Sequence, residues 1–296
     1  MNYIYFILGL VFNIICLLIL AYRSRFIFKF FSENLKVVHA LLINALVLFL
    51  NYLTPLKIGS VGYPIVAKKI SGIKIVNSIK VAIFEPFFDL FWQFILLIIL
   101  IFYLGSNALG LNNPYTWILF LILFIIILIL IFYNFKRIFL IMIKIFPGWI
   151  KNRVKRLGVN KEIIMDIPFS LSFLIKDYKF IISYMGLTFL VIFFVPFGLY
   201  FSSLIFDYPF NFLSILMIYW ASFIIGRLSG IPGGLGTRDI AMGFLLNRLG
   251  VPTLGIINII LFYRLINLIP SLIIGVYSFL HVGKKIINDR KGSQSL

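Results

Sequence analysis

Apolar runs of about twenty residues, the length of helix that crosses a bilayer core, recur along this chain of 296 residues. Only 12% of the residues are charged, about half the fraction usual in a soluble domain. The first run has neither a basic segment before it nor a small-residue cleavage site, so it is interpreted as a retained span. We predict an all-α, polytopic helical membrane protein with about seven long spans, at 3–21, 37–53, 81–104, 117–133, 180–201, 210–225 and 253–280.

Two stretches rich in glycine and proline interrupt these runs. The second, 226–239, has four glycines within the seven residues 230–236, and the chain then restarts as a short apolar run at 240–246. The first, 54–64, is also followed by a short apolar piece. Because regular helices do not tolerate such a density of these residues, we expect the backbone to open at both places. The residues predicted to form the openings are Pro55, Gly59, Pro232, Gly233, Gly234 and Gly236.

The two openings belong to two parts of the chain that share one plan. Each part has a span, a loop, a second span, an opening with a basic residue, a short apolar segment and a long span with charged residues. This plan predicts an internal repeat and two short broken or re-entrant segments within a single transmembrane domain, 1–296. The predicted divisions are a first repeat at 1–104, a linking span at 105–135, a basic interfacial segment at 136–178, a second repeat at 179–282 and a basic tail at 283–296.

The distribution of lysine and arginine predicts how the repeats are oriented. The segment 134–179 has ten basic residues, whereas the loops 105–116 and 202–209 have none. If each short segment completes a crossing, every basic loop and the C-terminal tail face the cytoplasmic side of the plasma membrane, and the repeats are inverted. If the short segments only dip in and return, the repeats are parallel and two basic clusters face the other side. The charge distribution favours the inverted arrangement.

Inverted repeats with broken helices are a recurrent transporter design, with the substrate bound where the breaks meet near the middle of the membrane. Glu85 and Asp89 are four residues apart and share a helix face. Arg238 and Asp239 begin a short helix, whose free backbone N–H groups favour an anion. Ionisable side chains within a span usually face a cavity or a partner. The predicted substrate-binding residues are Asn51, Lys57, Glu85, Asp89, Arg238, Asp239 and Arg264.

The same residues allow structural interpretations. Arg264 could form a buried bridge with Glu85 or Asp89 and bind no substrate. Lys57 and the pair 238–239 could lie at the membrane interface and extend their charged ends to the headgroups. The 34 phenylalanines and 15 tyrosines are interpreted mostly as lipid-facing bulk rather than as a binding cage.

Several classes of function are excluded or disfavoured. With one cysteine and two histidines, the chain cannot form an intramolecular disulfide or a His/Cys metal cluster, and we predict neither a metal nor a cofactor. Residues 233–236 lack the Gly-Lys-Ser/Thr ending of a phosphate-binding loop, and there is no serine nucleophile elbow, so an enzyme is not expected. The net charge of +18 comes from basic residues clustered in loops, which predicts contact with anionic lipid headgroups rather than with nucleic acid.

The second opening resembles a known family. Pro-Gly-Gly-Leu-Gly-Thr-Arg-Asp at 232–239, followed by Leu-Gly-Val-Pro at 249–252, is similar to the signature of flippase-like integral membrane proteins that match the transmembrane region of lysylphosphatidylglycerol synthases. The family signature usually ends in Arg-Glu, so Asp239 keeps the charge on a shorter side chain. The resemblance extends over nearly the whole chain and implies a membrane protein that moves or presents lipids.

The first opening resembles the same family, in which an asparagine precedes Pro-x-Arg-x-Gly-Glu. Asn51 and the sequence Pro-Leu-Lys-Ile-Gly-Ser at 55–60 fit this pattern, with Lys57 in place of arginine and Ser60 in place of glutamate. Residues 85–89 resemble the family's Glu-Arg-x-x-Asp, with proline in place of arginine.

The resemblance and the polar residues together predict a lipid translocase, which moves a phospholipid or a lipid-linked headgroup between leaflets. Lys57, Arg238 and Arg264 would meet the phosphate, and the three acids would hold those bases or meet a cationic headgroup. The alternative is a non-transporting partner that recruits or regulates a separate lipid-modifying enzyme through 134–179. A third hypothesis is an intramembrane transferase that uses the two carboxylates at 85–89. The chain after residue 280 is too short for a synthase domain, so lysyl transfer is not expected.

Overall fold

The computed structural model describes residues 3–53, 58–108, 177–228 and 236–294, and the regular elements in these ranges are all α-helices. The predicted fourth span, 117–133, and almost all of the basic segment 136–178 lie outside them. The helices are α1 (Tyr3–Phe30), α2 (Val37–Leu53), α3 (Ile58–Ser71), α4 (Ile75–Ala108), α5 (Tyr178–Phe194), α6 (Phe197–Ile205), α7 (Phe212–Leu228), α8 (Thr237–Arg248) and α9 (Thr253–Gln294).

The chain divides into two compact units, Met1–Gln93 with Gly186–Leu296, and Phe94–Met185. In the second unit the described residues are the end of α4 and the start of α5, where Phe180 and Tyr184 stack one turn apart. The first unit contains the two openings and the other helices.

By length and composition, three segments of the described chain are able to cross a membrane: Tyr3–Phe30, Tyr178–Ile205 and Thr253–His281. Val37–Leu53 and Phe212–Gly226 are shorter apolar helices. Large apolar side chains cover much of the outer surface, as in a protein whose surrounding solvent is lipid. The prediction of a polytopic helical membrane protein is confirmed.

Two helix boundaries differ from the predicted spans. Helix α1 continues to Phe30 instead of ending at residue 21, because 22–30 contains no glycine or proline and arginine is a good helix former. The predicted span at 180–201 is two helices, α5 and α6, separated at Pro196, whose missing N–H cannot continue the α5 hydrogen-bond ladder. The first difference changes the site, because it places Arg23 inside a helix.

Helices α2 and α3 pack against each other as a hairpin, named here the first hairpin. Gly59 was predicted to form the opening, but α3 begins at Ile58, so Gly59 lies in its first turn. A Cβ at Gly59 would collide with the Val47 carbonyl oxygen and lie 3.0 Å from the Leu50 Cβ. Gly59 therefore allows α2 and α3 to pack closely. A glycine in the sequence is compatible both with a helix break and with a close helix contact, and the sequence alone does not distinguish the two.

Helices α7 and α8 form the second hairpin, which resembles the first. A Cβ at Gly226, near the end of α7, would lie 2.9 Å from the Cβ of Arg238 at the start of α8. Each short helix is followed by a glycine with positive φ, Gly72 at 75° after α3 and Gly250 at 85° after α8. Both hairpins thus combine a glycine contact near the tip with a glycine that ends the returning helix.

The open end of the first hairpin lies at the C-terminal end of α1. Glu33, just after α1, accepts hydrogen bonds from the backbone N–H of Lys74 and from Nδ2 of Asn77. The chain entering α2 and the chain leaving α3 are therefore at the same end of the bundle. The basic residues Lys29, Lys36 and Lys74 therefore lie toward one end of the bundle, and the side of the membrane that this end faces remains a prediction.

The open end of the second hairpin lies at the opposite end of the bundle. Tyr208, which precedes α7, packs against Gly255, which follows α8. Nearby, the Phe262 ring contacts both Phe206 and Phe6, and Phe6 is in the first turn of α1. The two hairpins therefore enter the bundle from opposite ends. The boundaries of the two repeats remain a prediction.

Candidate functional site

Described residues near the ends of both hairpins line one cavity of about 520 Å³. Asn51 and Ser60 line it from the first hairpin, and Phe223 and Arg238 from the second. Helices α4 and α9 close its sides. The volume is within the usual range for sites that bind small ligands.

A buried ionic network lies on the α4 side of the cavity. Arg23, 2% exposed, donates to Asp89 at 2.5 Å, and its other terminal nitrogen lies 3.6 Å from Glu85. Ser24 donates to Glu85 at 2.9 Å and accepts from Asn44 at 3.1 Å. One guanidinium thus faces two carboxylates.

Arg23 was missed as a site residue, because it follows the end of the first apolar run and was assigned to a basic loop. The available signal was the absence of any glycine or proline between residues 21 and 30, which lets the helix continue. Arg23 then lies one turn or more inside α1, level with the carboxylates of α4.

Arg238 lies within three aromatic rings, named here the aromatic cage. Its guanidinium carbon is 4.8 Å from the Tyr219 ring centroid, 5.0 Å from Phe223 and 5.3 Å from Tyr263. Its Nη2 also donates to the Tyr263 hydroxyl at 2.5 Å. Cation–π contacts of this kind hold a guanidinium in place and partly replace its hydration. These three aromatic residues are exceptions to the interpretation of the aromatics as mostly lipid-facing bulk.

Within the described ranges, no carboxylate forms a salt bridge with Arg238. The neighbouring acid, Asp239, instead binds Arg264 through both of its oxygens. Asp239 also accepts from the backbone N–H of Gly236 at 3.3 Å, which satisfies a free donor at the start of α8. Among the described residues, Arg238 is thus held in the cavity by aromatic rings rather than by an acid.

The structural alternative for Arg264, a bridge to an acid of α4, is wrong. Its partner is Asp239, because α8 packs against α9 and brings residues 25 apart in sequence together. Arg23 occupies the α4 carboxylates instead. Both Arg264 and Asp239 keep partial exposure, 42% and 23% of the side chain.

Amide side chains complete the polar lining. At the first tip, Asn51 donates to the Ser60 hydroxyl at 2.9 Å and accepts from the Ser60 backbone N–H at 3.0 Å. On α9, Asn267 accepts from Asn13 at 2.8 Å. Asn44 lines the cavity with Asn51, as their seven-residue spacing predicts.

Six of the seven predicted substrate-binding residues line this single cavity; they are Asn51, Glu85, Asp89, Arg238, Asp239 and Arg264. Lys57 lies outside the described residues, as do Pro55, Pro232, Gly233 and Gly234. Gly236, predicted to open the chain, precedes α8 with φ of 86°. In the described part of the chain, no three His, Cys, Asp or Glu side chains come together as metal ligands. That the six residues bind a substrate remains a prediction.

No curated protein and no solved structure matches this chain. A family model described as the lysylphosphatidylglycerol synthase TM region matches residues 1–275, which include both hairpins and all the cavity residues. The match agrees with the resemblance seen at the two openings and indicates a membrane protein of lipid metabolism or transport. The chain therefore belongs to the family of the lysylphosphatidylglycerol synthase transmembrane region.

Proposed function

We propose that this protein is a lipid translocase, which moves a phospholipid or a lipid-linked polar headgroup between the leaflets of the plasma membrane. The observation that carries the proposal is Arg238, a caged guanidinium in a cavity that other charged side chains also line, between two hairpins of opposite direction. We propose no catalytic step and no cofactor.

The barrier to lipid exchange is the transfer of a charged headgroup through hydrocarbon, and a paired charge lowers that cost. The aromatic cage holds the Arg238 guanidinium in the cavity, and guanidinium N–H groups match the oxygens of a phosphate. Arg264 supplies a second guanidinium, which the phosphate can approach because 42% of this side chain is exposed. Lys57, outside the described residues, is predicted to add a third basic group.

The opposite directions of the hairpins support access from both leaflets. Movement of either hairpin would open the cavity toward one end of the bundle, as in the alternating-access mechanism of transporters with inverted repeats. The acyl chains would stay in the bilayer against the apolar outer faces of the helices, where side chains such as Ile182 and Ile273 are exposed. From the lysine and arginine distribution, we propose that the open end of the first hairpin is cytoplasmic.

The test is translocation of a phospholipid, fluorescently labelled on an acyl chain, in proteoliposomes, with dithionite quenching of the outer leaflet. Arg238→Gln should slow transfer about tenfold to a hundredfold, the effect of losing one charged hydrogen bond of about 1.5–3 kcal/mol. The matched control is Arg248→Gln, at the exposed end of the same helix, where the arginine lies over a single ring at 5.2 Å.

Transfer at the wild-type rate by Arg238→Gln would refute the proposal. No transfer by the wild-type protein, combined with co-purification of a lipid-modifying enzyme, would favour the non-transporting partner, which we retain as the second hypothesis.

A further inference from the structure

The hydroxyl of Tyr52 is a polar group in the cavity without a hydrogen-bond partner among the described residues. Tyr52 is in the last turn of α2 and lines the cavity together with Arg238 and Arg264. Its side chain forms no hydrogen bond within the described ranges, and the residue is 45% exposed. The hydroxyl is therefore available to a group that enters the cavity, to which it can donate one hydrogen bond.

The position of Tyr52 is not that of a tyrosine anchored at a membrane surface. Helix α2 begins at Val37, so Tyr52 lies about 22 Å along the helix from the open end of the first hairpin. Arg238 lies about 15 Å along α8 from Arg248, at the open end of the second hairpin. Both side chains are thus inside the bundle, away from the headgroups and water that solvate interfacial tyrosines.

Tyr52 belongs to the first hairpin but lies beside basic residues of α8 and α9. It interacts electrostatically with Arg238 and Arg264, and no hydrogen bond joins it to either guanidinium. Guanidinium N–H groups and a tyrosine O–H are all hydrogen-bond donors. Donors from both hairpins are therefore close together in the cavity, and a group with several acceptor oxygens can bind them at once.

Asn51 fixes the end of α2 that carries Tyr52. Its amide donates to the Ser60 hydroxyl at 2.9 Å and accepts from the Ser60 backbone N–H at 3.0 Å. Both ends of the amide are thus engaged by the first turn of α3. Of these two neighbouring polar residues, Tyr52 is the one whose polar group is left for a ligand.

We propose, resting on the translocase function, that Tyr52 is the substrate contact of the first hairpin and that its hydroxyl donates a hydrogen bond to the phosphate held by Arg238. A phosphodiester has two charged oxygens, each of which accepts more than one hydrogen bond, so a guanidinium and a phenol bind it together. The substrate then joins the two hairpins. Asn51 acts as a positioning residue for Tyr52 rather than as a ligand of the headgroup.

The test measures transfer of acyl-labelled phosphatidylethanol, whose headgroup oxygens all belong to the phosphate, in proteoliposomes. Tyr52→Phe keeps the ring and removes only the hydroxyl. It should slow transfer about tenfold, the lower effect expected for a hydrogen bond to a charged group. The apparent Tm should not change, because the hydroxyl has no hydrogen-bond partner in the described protein.

Tyr22→Phe is the matched control. Tyr22 is in α1, is 50% exposed and does not line the described cavity. This variant should transfer phosphatidylethanol at the wild-type rate and keep the wild-type Tm.

A double variant shows whether Tyr52 and Arg238 act on the same group. Without Arg238 the phosphate is not held beside Tyr52, so the addition of Tyr52→Phe to Arg238→Gln should slow transfer by less than about twofold. A full further loss of about tenfold would show that the hydroxyl acts on another group, and would overturn the inference.

A wild-type rate in Tyr52→Phe, beside slow transfer in Arg238→Gln, would overturn the Tyr52 contact and leave the translocase proposal intact. A lowered Tm in Tyr52→Phe would assign the hydroxyl a role in folding and would overturn the contact as well. No transfer by the wild-type protein would refute the translocase proposal itself, together with the inference that rests on it.

Discussion

Replacement of Arg23 by methionine tests the buried network on which the cavity depends. The change keeps a long side chain between α1 and α4 but removes the guanidinium that, among the described residues, joins Glu85 and Asp89. Removing one partner of a buried ion pair costs about 3–5 kcal/mol of unfolding free energy. Because the two carboxylates keep 14% and 22% exposure toward the cavity, water can solvate them in part, so we expect the lower end, about 3 kcal/mol.

The protein contains its own reporter for this measurement. Cys16 is its single cysteine, is 4% exposed and lies in α1 about two turns before Arg23. A thiol-reactive fluorogenic dye added to detergent-solubilised protein will therefore report unfolding of the bundle. A loss of about 3 kcal/mol should lower the apparent Tm by roughly 6–12 °C for a chain of this size.

Two further variants complete the experiment. Arg25→Met, two residues along α1 at an exposed position, should leave the apparent Tm within about 2 °C of wild type, as surface substitutions usually do. Arg23→Met combined with Glu85→Gln and Asp89→Asn should recover most of the loss, since no unpaired charge remains in this α1–α4 network. An Arg23→Met protein as stable as Arg25→Met would refute the assignment of Arg23 to a buried ion pair.

The remaining predictions concern the hairpins. Gly59→Ala should lower the unfolding free energy by about 1–3 kcal/mol, because the new Cβ meets the backbone of α2. Gly62→Ala has open space around the new Cβ and should be neutral or stabilising. Melting curves with the thiol-reactive dye measure both variants. Equal melting temperatures would contradict the packing of the first hairpin. Tyr263→Phe keeps the ring of the aromatic cage but removes the hydroxyl that accepts a hydrogen bond from Arg238. It should slow lipid transfer several-fold and leave the Tm unchanged. Unchanged transfer would show that the hydroxyl does not position the guanidinium.

Much of the architecture follows from composition and residue spacing. Long apolar runs require helices in lipid, and the stretches rich in glycine and proline, 54–64 and 226–239, fall where α2 gives way to α3 and α7 to α8. The seven-residue spacing of Asn44 and Asn51 and the four-residue spacing of Glu85 and Asp89 place these pairs on common helix faces. Six of the residues that the sequence predicts to bind substrate line one cavity.

The partners of the charged residues could not be predicted, because they depend on how helices pack. Arg23 reaches acids 62 and 66 positions later, and nothing local to α1 specifies that contact. The partners considered for Arg264 from the sequence were Glu85 and Asp89, whereas the packing of α8 on α9 places it against Asp239. The aromatic cage has the same origin, since its rings come from α7 and α9 around a side chain of α8.

The central claim is that the two hairpins enter the bundle from opposite ends. The most direct test is to find which side of the membrane the open end of each hairpin faces. In a Cys16→Ala background, single cysteines replace Lys68 near the end of α3 and Arg248 at the end of α8, both exposed. A membrane-impermeant maleimide should label the cysteine at 248 in intact cells and the cysteine at 68 only after permeabilisation. Labelling of both positions from the same side of the membrane would contradict the account.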